Sequence, residues 1–131
     1  MKEETLEFIE IAEENLKEAK RALNNKMIRS SCFWSQQAIE LYLKAYLIEK
    51  ESFDIKKHKT HNLIYLTREC YKLDKDFEEI LRIKDLENIS KFATVTRYGI
   101  SFLQSLTEED AERSIKIAEK VRNFVLKKLE S

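Results

Sequence analysis

The sequence predicts an all-α protein, an up-and-down bundle of four or five helices. Three observations carry that expectation. The 131 residues contain no Pro and a single Gly, Gly99, and these two residue types punctuate strands and tight turns. Glu, Lys and Leu, all good helix formers, dominate together with Ile. Apolar residues recur at intervals of three and four over long stretches, the period of an amphipathic helix. The length and a hydrophobic fraction of 43% suit one ordinary core, so residues 1–131 are expected to be a single domain.

The first helix is expected over residues 4–24. Phe8, Ala12, Leu16, Ala19 and Leu23 form its stripe, and Ile9 and Ile11 widen it. Acidic Glu3, Glu4 and Glu7 lie at its start and Lys17, Lys20 and Arg21 towards its end, as the helix dipole favours. Asn24 and Asn25 then break the pattern, since Asn tolerates the left-handed conformation at a helix end. So short a link to the next helix predicts an antiparallel hairpin.

Residues 27–50, the longest uninterrupted helical pattern, organise the chain and carry the only Trp, Trp34. At roughly 1.5 Å per residue such a helix spans about 36 Å, the height of a small bundle. Phe33, Gln37, Leu41, Ala45 and Ile48 follow one face. Ser30, Gln36, Gln37, Glu40 and Lys44 fall near its edge, and Gln36, Glu40 and Lys44, four residues apart, run along one side. Residues 51–60 read as a loop. Thr60 is expected to cap a third helix from His61 to about Leu73, and helical rhythm continues from Asp74 to about Leu86. Residues 86–106 supply further apolar positions, with β-branched residues and Gly99 gathered near 93–101 as the weakest helix. Thr107-Glu108-Glu109-Asp110 has the form of a capping box opening a last helix to about Leu129.

The 24 basic and 24 acidic residues cancel, which removes the simplest case for a nucleic-acid binder. Acids outnumber bases over residues 1–25 and bases outnumber acids over 26–61. The run Lys56, Lys57, His58, Lys59, Thr60, His61 is the densest positive patch, either a solvated loop or a phosphate-facing site. Cys32 and Cys70 are too few for a disulfide framework or a thiolate zinc site and read as buried apolar residues. No basic-plus-apolar leader opens the chain and no segment approaches the ~20 apolar residues of a membrane span, so a cytoplasmic protein is expected.

The candidate site residues are Gln37, Glu40 and Lys44 on the central helix, His61 at a helix start, and Arg97 and Tyr98 just before Gly99. An Arg within an apolar stretch needs an acid, a helix end or a ligand phosphate, because an unpaired buried cation is costly. Glu40 is the intramolecular choice. His58 and His61 could approach each other, but no carboxylate accompanies them at ligand spacing, so no metal and no cofactor is expected. Glu40 and Lys44 could equally be a surface pair worth a few tenths of a kcal/mol, and Tyr98 a core residue. No Ser-His-Asp pattern, phosphate-binding Gly loop, CxxC or HExxH is present.

These residues carry a resemblance. The pieces CFWSQQAIELYLKAYLI at 32–48, THNLIYL at 60–66 and TRYGIS at 96–101 resemble the HEPN domain family (higher eukaryotes and prokaryotes nucleotide-binding). The positions that match are Gln36, Gln37, Glu40, Lys44, His61, Arg97 and Tyr98; Gly99 stands where the family usually has Pro. The resemblance implies an up-down helical bundle that forms a homodimer. It further implies an accessory protein that works beside a small nucleotidyltransferase of the kanamycin-modifying type and binds its nucleotide or phosphorylated substrate. Other branches of the family are metal-independent, toxin-like ribonucleases that use an Arg followed four to six residues later by a His. Here Arg97 has no His after it, so a ribonuclease would have to draw on Arg97 with His61 instead. A third possibility is a purely structural network of Glu40, His61 and Arg97 in a protein-association module.

Overall fold

In the computed structural model, which describes residues 1–93 and 104–130, every regular element among those residues is helical. The chain is an all-α bundle, as its composition and periodicity predict. Helix α1 (Glu3–Asn24) buries Thr5, Ala12, Leu16, Ala19 and Ala22. Phe8 and Leu23 lie at the margin of that stripe, and Ile11 is exposed rather than widening it. Helix α2 (Ile28–Glu49) returns antiparallel to α1. Three bonds set this register: Ser31 Oγ donates to the Ala19 carbonyl (2.8 Å), Tyr42 to Glu13, and Thr5 Oγ1 to Glu49 (2.9 Å).

The α1–α2 link is short, as expected, but its left-handed residue is neither Asn24 nor Asn25. It is Lys26, at φ 60°. The Lys26 amide donates to the Leu23 carbonyl (3.0 Å) and that of Met27 to Ala22 (2.8 Å), the bond pair of a Schellman turn. Helix α2 ends the same way. Glu51 sits at φ 57°, its amide donates to Ile48 (3.0 Å), and that of Ser52 donates to Leu47 (2.9 Å). Both turns place a residue with a Cβ where Gly is favoured.

Helix α2 is surrounded by the rest of the bundle. Its buried residues include Ser31, Cys32, Ser35, Ala38, Ile39, Tyr42, Leu43 and Tyr46. On the face expected through Phe33, Gln37, Leu41, Ala45 and Ile48, Ala45 and Ile48 are buried, whereas Phe33, Gln37 and Leu41 are only half-buried and Gln36 and Glu40 lie deeper. The physical reason is size: Ser31 and Ser35 allow α1 to approach closely, while bulky Phe33 and Trp34 pack edge to face at the perimeter (5.0 Å between centroids).

Short helix α3 (Ile55–His58) interrupts the α2–α4 connection, and α4 spans Leu63–Leu73. Asn62 caps α4, its side chain accepting from the Tyr65 amide (3.0 Å). Thr60, the expected cap, instead accepts from the Asn62 amide (3.1 Å) in a turn of its own, so His61 precedes the helix rather than opening it. Beyond α4 the helical rhythm is broken. Asp74, extended at φ -151°, caps a 3-10 turn over Lys75–Phe77 by accepting from the Asp76 amide (2.9 Å). Two short helices, α5 (Glu78–Leu81) and α6 (Leu86–Ser90), and a second 3-10 turn (Lys91–Ala93) follow. The apolar positions still reach the core: Phe77, Ile80, Leu86, Ile89 and Phe92 are all buried.

The last helix, α7 (Glu108–Glu130), opens with the expected capping box. Thr107 Oγ1 accepts from the Asp110 amide (3.2 Å) and Asp110 Oδ2 accepts from the Thr107 amide (2.8 Å). Arg122 bonds Glu13 (2.6 Å) and Lys20 pairs with Glu119 (3.0 Å), so α7 runs antiparallel to α1 and parallel to α2. Phe77 joins α2 to α7, its ring tilted 4.6 Å from Tyr46 of α2 and edge to face 4.8 Å from Phe124 of α7. Among the described residues no helix is long and apolar enough to cross a membrane.

Candidate functional site

Helical spacing alone sets Gln36, Glu40 and Lys44 in one row on α2, and the fold turns that row inward. The Glu40 side chain is 6% exposed and that of Lys44 11%. A carboxylate so buried needs hydrogen-bond donors, and among the described residues it has three. Lys44 Nζ lies 2.9 Å from Oε2; His61 Nδ1 (2.7 Å) and Gln36 Nε2 (3.2 Å) share Oε1. Gln37, half-buried beside them, donates to Gln36 Oε1 (2.6 Å), which fixes the Gln36 amide with its nitrogen towards Glu40.

His61 is held twice. Its carbonyl accepts from Gln36 Nε2 (3.1 Å) and from Ser90 Oγ (3.1 Å), and Ser90 in turn accepts from the Leu63 amide (2.9 Å) at the start of α4. Its ring donates through Nδ1, because a carboxylate only accepts. The second nitrogen, Nε2, bonds no other described residue, and the side chain is 52% exposed. A buried carboxylate that fixes the tautomer and aims the opposite nitrogen outward is how a His is prepared to accept or donate a proton, or to bond a ligand oxygen.

His58 has a different fate. The two His do not form a pair; each has its own carboxylate. His58 is 2% exposed, its Nδ1 accepts from the Asp54 amide (2.8 Å), and its Nε2 faces Glu69 (2.9 Å). The ring lies between Phe53 (5.6 Å) and Tyr65 (6.1 Å). Lys72 (2.6 Å) and then His58 hold the Glu69 carboxyl below its ordinary range. Within the positive run, therefore, His58 is an internal strut, while Lys56, Lys57 and Lys59 face solvent.

The structure thus brings together Gln37, Glu40, Lys44 and His61 from the expected site. Arg97 and Tyr98 lie outside the described residues. Two contributors escape sequence reasoning. Ser90 sits in a segment with no motif around it, and Glu69 reads as an ordinary surface acid of an amphipathic helix. Gln36, placed in the polar row by its spacing, makes as many bonds as Glu40: to Glu40, to the His61 carbonyl and from Gln37. Among the described residues Glu40 accepts three hydrogen bonds. Among the described residues no three His, Cys, Asp or Glu side chains cluster so as to hold a metal ion.

An open groove of about 520 Å³ begins at the residue after His61, lined by Asn62 and Ser90 and, beyond them, Arg68 and Lys91. A larger one, about 820 Å³, runs along α7 past Lys116, Lys120 and Phe124, far along the chain from His61.

The fold and site define a class: an all-α bundle whose central helix carries a buried Gln–Glu–Lys row that positions an outward-facing His. A family model described as HEPN domain matches residues 5–129. The chain belongs to the HEPN domain family. No curated protein and no solved structure matches it.

Proposed function

We propose that this chain is an accessory HEPN protein, a single domain over residues 1–131, that binds a nucleotide or other phosphorylated ligand at His61. In this reading it works in the cytoplasm, as a homodimer, beside a small nucleotidyltransferase partner. The observation that supports it is the His61 ring, bonded through Nδ1 to buried Glu40 on a side chain that is half-exposed. Gln37 and Lys44 hold the carboxylate and its surroundings in register. Arg97 would contribute a phosphate contact and Tyr98 a surface for a base, both from their sequence positions alone.

A thermal-shift titration with AMP, ATP and a short RNA tests the proposal, with gel analysis of the RNA in EDTA. Stabilisation by mononucleotides with intact RNA is expected, about 2.7 kcal/mol at a hundredfold excess over Kd. No shift at millimolar nucleotide sinks it.

A second reading draws on the same bond. A carboxylate-oriented His whose other nitrogen bonds no other described residue is also a general acid or base, so a metal-independent ribonuclease using His61 and Arg97 is the second reading. RNA cut in EDTA, and left intact by both His61→Ala and Arg97→Ala, would establish it. The third, a purely structural network, draws on the three hydrogen bonds that Glu40 accepts among the described residues; it requires that alanine at Glu40, His61 or Arg97 lower the melting temperature and alter no binding.

A further inference from the structure

We infer that the groove between α4 and α6 is an anion subsite that receives a second phosphate of the ligand at His61. The ligand class is then a nucleotide carrying more than one phosphate. The inference rests on the reading of His61 as a nucleotide site.

The groove adjoins that site through a covalent and hydrogen-bonded path. Asn62, at its mouth, follows His61 in the chain, and Ser90, on its other wall, donates to the His61 carbonyl (3.1 Å). Asn62 Oδ1 is occupied as the α4 cap (3.0 Å to the Tyr65 amide), which leaves its amide N–H groups to donate outward. Ile64 and Leu81 give the groove an apolar floor.

The charge is positive. Arg68, one turn after Ile64 on the same face of α4, lines the groove together with Lys91 and Glu87. Glu87 and Lys91 are four residues apart and offset one another. Arg68 remains: it is exposed and forms no ion pair among the described residues. A guanidinium beside an amide donor, over an apolar floor, suits the planar, multiply accepting face of a phosphate. The larger groove on α7 carries a similar excess, Lys116, Lys120, Lys127 and Lys128 against Asp76, Glu79 and Glu119, but none of its lining residues is next to His61 in the chain or bonded to it.

Two sources present a second phosphate: the polyphosphate tail of one nucleotide, or the phosphodiester of a neighbouring one. Isothermal titration calorimetry with inorganic triphosphate, AMP, ATP and the dinucleotide pApA separates them, on the wild type and on Arg68→Gln. Circular dichroism checks that the variant, changed at an exposed position, keeps its fold. Triphosphate is expected to bind the wild type and to weaken about tenfold in the variant, the effect of one charge-assisted contact. ATP or pApA should bind more tightly than AMP, and Arg68→Gln should erase that advantage while leaving AMP unchanged. Preference for ATP assigns the tail, preference for pApA the neighbouring nucleotide. Triphosphate that fails to bind, or binds both proteins alike, overturns the inference. Nucleotides that bind both proteins alike reject the groove and keep the His61 reading. Triphosphate bound through Arg68, with no affinity for any nucleotide, keeps the anion subsite and rejects the nucleotide.

Discussion

Replacing Glu40 by Gln changes almost no volume, yet it should be among the most damaging single substitutions in this chain. The carboxylate meets Lys44 on one oxygen and both His61 and Gln36 on the other. The Gln amide keeps one acceptor and turns a donor towards either the Lys44 ammonium or the His61 N–H. Each lost charge-assisted bond is worth about 1.5–3 kcal/mol, and breaking a buried ion pair from one side costs about 3–5 kcal/mol. Lys44 is 11% exposed and its flexible stem can swing towards water, which sets the expectation near the low end, about 3 kcal/mol. For a chain of this size that corresponds to a fall of about 10 °C in Tm. Urea unfolding followed by far-ultraviolet circular dichroism measures it. The double variant Glu40→Gln/Lys44→Met removes the stranded ammonium and should recover about 1–2 kcal/mol. A loss below about 1 kcal/mol in the single variant, or a double variant less stable than the single, would refute the reasoning that Glu40 is a buried ion-pair acceptor.

Three further outcomes follow from the geometry. Lys26→Gly and Glu51→Gly should each raise stability by about 0.5–1 kcal/mol, read as a higher urea midpoint, because both residues hold a left-handed conformation that disfavours a Cβ. Lowering the pH should destabilise the fold through Glu69, held down by Lys72 and then His58, and Asp74, held down chiefly by Lys128. Their folded carboxyls protonate at lower pH than the unfolded ones, so this stability is complete above the ordinary carboxylate range, about pH 4, and is lost as the pH falls through it towards the folded values. Urea midpoints across that range should show a shallower slope in Lys72→Met. Finally, burial pushes the Cys32 thiol up to about 11 and the Cys70 thiol up as well. Neither should react with a disulfide reagent at mildly alkaline pH until the chain unfolds; rapid labelling of the native protein would contradict their burial.

Helix positions and the row Gln36–Glu40–Lys44 are legible in the sequence because both follow from helical periodicity, which needs no partner to be read. That His61 reaches Glu40 agrees with their grouping among the candidate site residues, although Glu40 is there the expected partner of Arg97. Which side of α2 faces inward is not legible. Ser31 and Ser35 read as polar, but their small volume, not their polarity, decides where α1 packs, and Phe33 is displaced to the rim. Thr60 and Asn62 are both competent caps two residues apart, and only the observed bonds choose between them. His58 is hidden by its company: three exposed lysines make the run look solvated, while Phe53, Tyr65 and Glu69, which enclose the ring, are spread over two elements. The break after Leu73 has a local signal in Asp74, a helix-capping residue, that apolar periodicity through Phe77 and Ile80 overrides.

The double anchorage of His61 has a consequence for the kinetics of anything that meets it. With its carbonyl tied to α2 and to Ser90, and its ring tied to Glu40, the residue has little conformational freedom left to surrender. Encounter at Nε2 therefore requires no loop closure on the His61 side. Association there should proceed at the rate set by diffusion and charge steering, with the lifetime of the complex, rather than the speed of its formation, carrying the difference between one ligand and another.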